Sequence, residues 1–83
     1  MTLDTATIPE ALLDDVRTLW EYHRPGAGPR ALAAHTAAIG EADVVIDALV
    51  GATPPDAPET VRAASARLRG RGYGKARNPL PGG

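Results

Sequence analysis

Asp43-Val44-Val45-Ile46-Asp47-Ala48-Leu49-Val50-Gly51 is the stretch on which the fold turns. It contains the only three consecutive β-branched residues of the chain, and a short apolar run of that kind is what a strand buried on both faces looks like. The alternative is a helix running through Val50. Gly51 and Pro54-Pro55 cut the run short of a typical helix, and β-branched side chains lose rotamer freedom in helices. The reading therefore favours a strand at 43–46.

Outward from this run the pattern is helical. Downstream, Asp56-Ala57-Pro58-Glu59 has the form of a helix start, and Val61, Ala64, Ser65 and Leu68 share one face, which predicts a helix at about 58–69. Upstream, Arg30 to Ile39 is an Ala-rich run ended by Gly40, which predicts a short helix there. Before it, Thr7-Ile8-Pro9-Glu10 reads as a capping box, with Thr7 at the N-cap and Glu10 reaching back to free amides. Ile8, Leu12, Val16 and Leu19, with Leu13 and Trp20, recur at helical spacing up to Pro25-Gly26, so the first helix is predicted at about 8–23. The expected fold class is α/β, with an all-α three-helix arrangement as the alternative. The expected domain spans 1–69, and the Gly- and Pro-rich basic segment 70–83 is expected to be a flexible tail.

Eighty-three residues support a single small core. The 43% apolar fraction suits a globular chain, yet sixteen of those residues are Ala and none is Phe, so little area is buried per residue. A domain of marginal stability, or one that needs a protein partner or a second copy, is the expectation. With no cysteine, disulfides, thiolate nucleophiles and thiolate metal sites are excluded. The opening residues lack the basic and apolar regions of a signal peptide, and no apolar run approaches a membrane span, so a cytoplasmic location is expected.

The net charge of −1 conceals a division. Residues 1–59 hold ten acidic groups and three arginines, a net of −7, whereas 60–83 hold six basic groups and no acid. Arg62, Arg67, Arg69, Arg71, Lys75 and Arg77 could contact an anionic surface or nucleic acid, but the acidic half offers an internal partner, and internal pairing is the favoured use. Gly70-Arg71-Gly72-Tyr73-Gly74-Lys75 lacks the spacing of a phosphate loop, because Arg69 stands where a glycine is needed and Ala76 where a hydroxyl is needed. His23 and His35 with Glu21, Asp43 or Asp47 have no ligand spacing, so no metal is predicted. Asp47, placed after the expected strand and before Gly51, is the best candidate for a ligand site, because open sheets gather ligands at the carboxyl ends of strands. The Leu12, Val16, Leu19, Trp20 face is the candidate surface for docking on a partner.

Leu19-Trp20-Glu21-Tyr22-His23 after a capped helix resembles the opening of actinobacterial members of the YdcF/SanA/ElyC family. Ala42-Asp43-Val44-Val45-Ile46, Val61 to Leu68, Arg71-Gly72-Tyr73 and Pro81-Gly82-Gly83 follow the order of that family's strand, basic helix, turn and closing glycines. The resemblance implies a Rossmann-like fragment with a second short strand, and a nucleotide- or S-adenosylmethionine-type ligand. A rival resemblance lies in Val45-Ile46-Asp47-Ala48-Leu49-Val50-Gly51, which is similar to an element of the YjeF N-terminal, NAD(P)H-hydrate epimerase family. There the residue matching Asp47 helps to hold a potassium ion. The chain stops where the first family would be half finished and lacks the glycine-rich loop of the second, so independent catalysis is not expected. The functional expectation is a ligand-binding remnant centred on Asp47 and Gly51, with a helical protein-interaction module as the alternative.

Overall fold

The computed structural model describes residues 7–74 of the chain. Over that span four helices follow one another: α1 (Glu10–His23), α2 (Gly28–Ile39), α3 (Ala42–Gly51) and α4 (Glu59–Gly70). No strand occurs among the described residues. The expected α/β architecture, its strand at 43–46 and the Rossmann-like arrangement are therefore replaced by an all-helical fold with one helix more than the three-helix alternative. The place of the second short strand lies outside the described residues.

The reason lies in α3 itself. Its buried residues are Ala42, Val45, Ile46, Leu49 and Val50, the i, i+3, i+4, i+7, i+8 spacing of one helix face. Asp43, Val44 and Ala48 point outward. A β-branched residue in a helix costs less than about 1 kcal/mol relative to Ala. Burying each Val, Ile or Leu returns roughly 1.5–3 kcal/mol, so packing outweighs propensity. A strand here would also have needed a neighbour to take its backbone N–H and C=O groups, whereas a helix pairs them within itself.

The helix starts differ from expectation in a common way. At α1 the N-cap position is held by Pro9 rather than Thr7, in extended geometry (φ −57°, ψ 137°) and with no side-chain capping bond of its own, and the helix begins at Glu10. The Pro9 carbonyl accepts the Leu12 N–H at 2.9 Å. At α4, Pro58 (φ −54°, ψ 151°) does the same, its carbonyl accepting from Val61 and Arg62 at 2.9 Å. Each proline holds the chain extended until the next residue, and a glutamate in the first turn, Glu10 or Glu59, complements the helix dipole. The end of α2 follows the sequence: Gly40 adopts the left-handed conformation (φ 90°) and donates to the Thr36 carbonyl at 2.9 Å.

Packing centres on α1, which touches the three other helices, while α2 rests on α1 and α3 and does not meet α4. Val16 and Leu19 of α1, Leu32 of α2, Ile46 and Val50 of α3, and Val61 and Leu68 of α4 form the core. Its polar members, Thr36 and Ser65, are small, and buried Thr36 donates its hydroxyl to the Leu32 carbonyl at 2.7 Å.

Candidate functional site

Asp47 lies in the middle of α3, so the strand-to-loop junction proposed for it does not exist. Its Oδ1 accepts the backbone N–H of Gly74 at 2.8 Å. One turn earlier, Asp43 Oδ1 accepts the hydroxyl of Tyr73 at 3.1 Å. The i, i+4 pair of carboxylates thus clasps the turn that follows α4. Gly51, the other half of the expected ligand site, is the exposed last residue of α3 and faces open space. Burial pushes the Tyr73 hydroxyl above its ordinary pKa, helped by the bond to Asp43 and the charges of Asp43 and Asp47, with Arg71 opposing.

The clasp involves residues of the segment expected to form the tail. Gly70 to Gly74 belong to the folded unit: Tyr73 packs against the core, and its N–H donates to the Leu68 carbonyl at 3.1 Å.

The α1 face chosen for docking is spent inside the molecule. Leu12, Val16, Leu19 and Trp20 are all buried, Val16 and Leu19 completely. Trp20 donates its indole N–H to the Gly28 carbonyl at 3.0 Å, stacks on His35 with centroids 5.5 Å apart, and carries the Arg24 guanidinium over its ring. A partner reaching this face would have to open the core.

The basic groups divide. Arg67 makes a forked ion pair with Asp15 of α1, with Nη2 to Oδ1 at 2.7 Å. That contact raises the Arg67 pKa, first through the hydrogen bond and then through charge. Arg62 donates to the Ala57 carbonyl at 2.9 Å, and Arg69 reaches the Gly74 carbonyl at 3.5 Å. Arg71 is exposed, and Lys75 and Arg77 lie outside the described residues. The internal use of the basic segment is thus visible for Arg67.

The feature that sequence reasoning missed is the outer face of α2. Between Ala31 and Gly40 the chain has no Asp, Glu, Lys or Arg, and Ala33, Ala34, Ala37 and Ala38 are all exposed. Ile39, at the end of the helix, is 47% exposed, as is Val44 just beyond the corner. Beside this face runs an open groove of about 310 Å³ between α1 and α2, lined by Ile8, Arg17, Pro29, Leu32, Ala33 and Ala37. A solvent-facing helix normally turns charged residues outward, as α1 does with Glu10, Asp14, Arg17 and Glu21. The signal was present in the sequence as ten residues without charge.

Among the described residues no group of three or more His, Cys, Asp or Glu side chains is placed to hold a metal ion. His23 packs edge-on against Tyr22 at 5.1 Å, and its Nε2 is buried without a hydrogen-bond partner among the described residues. No helix among them is long and apolar enough to cross a membrane. No family model matches the chain, and no match was found among curated proteins or solved structures.

Proposed function

We propose that this domain is a helical protein-interaction module whose docking surface is the outward face of α2. The observation that carries the reading is the exposed, uncharged surface from Ala33 to Ile39, on a helix that only two of its three neighbours support. A helix of twelve residues offers a ridge about 18 Å long against which another apolar helix can lie. The reading keeps the interaction-module class expected from the sequence and moves its surface from α1 to α2, because the α1 face is buried. The ligand-binding remnant drew its support from a strand end at Asp47, and that position is helical and engaged with Gly74.

The test is site-specific photocrosslinking in the native host, with a photoreactive residue at Ala37 of α2 and, as a control, at Thr60, exposed on α4. A discrete adduct from position 37 alone, identified by mass spectrometry, supports the reading. The reading is abandoned if position 37 yields nothing, or only what position 60 yields.

A further inference from the structure

We infer that the occupant of the α2 face is a second copy of this chain, packed antiparallel about a two-fold axis. The inference rests on the reading of α2 as a docking surface and adds the partner. Its basis is the charge at the two ends of the helix. Arg30 stands in the first turn of α2, where a cation is unfavourable to the helix's own dipole, and that turn has no acidic residue. Glu41 lies just past the Gly40 cap at the other end. Both side chains are exposed, and neither forms an ion pair among the described residues.

Residues 30 and 41 are equally far from a midpoint between His35 and Thr36, which lies two residues beyond the centre of α2 (Gly28–Ile39). Antiparallel pairing of two α2 helices about that midpoint brings Arg30 of each copy to Glu41 of the other. The same operation sets Ala34 opposite Ala37 and Ala33 opposite Ala38, so small side chains meet small ones and the backbones approach closely. It also sets the two dipoles head to tail, so that Arg30 lies by the negative end of the partner's helix. Such an interface is isologous, the commonest form of homodimer contact. A parallel arrangement would place arginine against arginine and glutamate against glutamate.

With this pairing the two helices overlap over residues 32–39, a seam about 12 Å long and built mainly of alanine, which buries less than the roughly 1,200 Å² of a standard stable interface. The dimer is therefore weak and depends on concentration.

The experiment is sedimentation velocity of the whole chain across a wide concentration range, for wild type, Ala37→Glu, Arg30→Glu, Glu41→Arg and the Arg30→Glu/Glu41→Arg double variant. Wild type should pass from monomer to dimer as concentration rises. Ala37→Glu, which sets an unpaired carboxylate in the seam, should weaken association by at least about tenfold with its helical circular dichroism intact. Arg30→Glu improves α2's own dipole and so should not unfold the helix, yet it should weaken the dimer. Glu41→Arg should weaken it as well, and the double variant should restore it. Rescue in the double variant is what a purely structural role of either residue would not give.

A wild-type chain that stays monomeric throughout, a dimer indifferent to Ala37→Glu, or a double variant that fails to recover overturns the self-pairing. If the chain is monomeric while the position-37 crosslink captures another protein, the docking surface stands and the second copy does not. If both come back empty, both readings fail.

Discussion

Arg67 and Asp15, fifty-two residues apart in sequence, tie α4 to α1 through Nε and Nη2 donated to one carboxylate, with distances of 2.7–3.1 Å. Asp15 is the more sheltered partner, its side chain 17% exposed against 61% for Arg67. Exposed pairs are screened by salt, so the contribution is small and should fade with ionic strength. Arg67→Met should lower the thermal midpoint slightly in dilute buffer and leave it unchanged in concentrated salt. An equal loss at both ionic strengths would mean that packing of the arginine stem, not charge, holds the contact.

Tyr73 gives the domain an alkaline limit. Its folded pKa is raised above the ordinary value of 10.0, so above that pH the unfolded chain loses a proton that the folded chain keeps. The stabilisation is present below the unfolded tyrosine's range and is lost as pH rises through the folded value. Chemical denaturation of wild type should show stability falling above about pH 10, and Tyr73→Phe should show a shallower fall. Identical slopes would disconnect Tyr73 from the effect.

Val44 and Val45 separate helix from strand by experiment. In α3, Val45 is buried and Val44 is 47% exposed. Val45→Ala should cost about 2 kcal/mol, from the lost carbons and the cavity left behind. Val44→Ala should be neutral or stabilising by a few tenths, because alanine is the better helix former. Urea denaturation of both variants checks this, and a comparable loss at the two positions would point to a run buried on both faces.

Gly74 accepts no side chain. Its φ is +73°, and a Cβ there would lie 2.8 Å from the Val50 Cβ and closer still to its Cγ1. The left-handed conformation alone costs a non-glycine residue roughly 1–2 kcal/mol. Gly74→Ala should therefore destabilise the domain by at least that amount, or release the turn from Asp47. Amide exchange at Gly74 tells the two apart: faster exchange with an unchanged melt marks release of the turn, and a lowered melt marks strain retained.

Three of the four helices were legible in the sequence to within about two residues. Prolines and glycines punctuate them, and the spacing of Leu12, Val16 and Leu19, or of Val61, Ala64 and Leu68, has a single reading. α3 was not legible as a helix, because in a run as apolar as Val44-Val45-Ile46 the outward positions look like the inward ones; its period shows only once Asp43 and Asp47 are seen to share a face. The site was harder to read. Periodicity told that Leu12, Val16, Leu19 and Trp20 lie together, but not whether the chain's own helices or another molecule cover them. The clasp of Asp43 and Asp47 on Tyr73 and Gly74 joins residues about thirty positions apart, and only the folded chain brings them within reach.

That α2 and α4 never touch has a consequence for how the domain breathes. Each can detach from α1 without the other losing a contact, so opening of the α2 side leaves the Arg67–Asp15 tie and the turn held by α3 in place. In native-state hydrogen exchange the amides of α2 should form the least protected unit, and whatever settles on that helix should slow their exchange while α4 exchanges at its former rate.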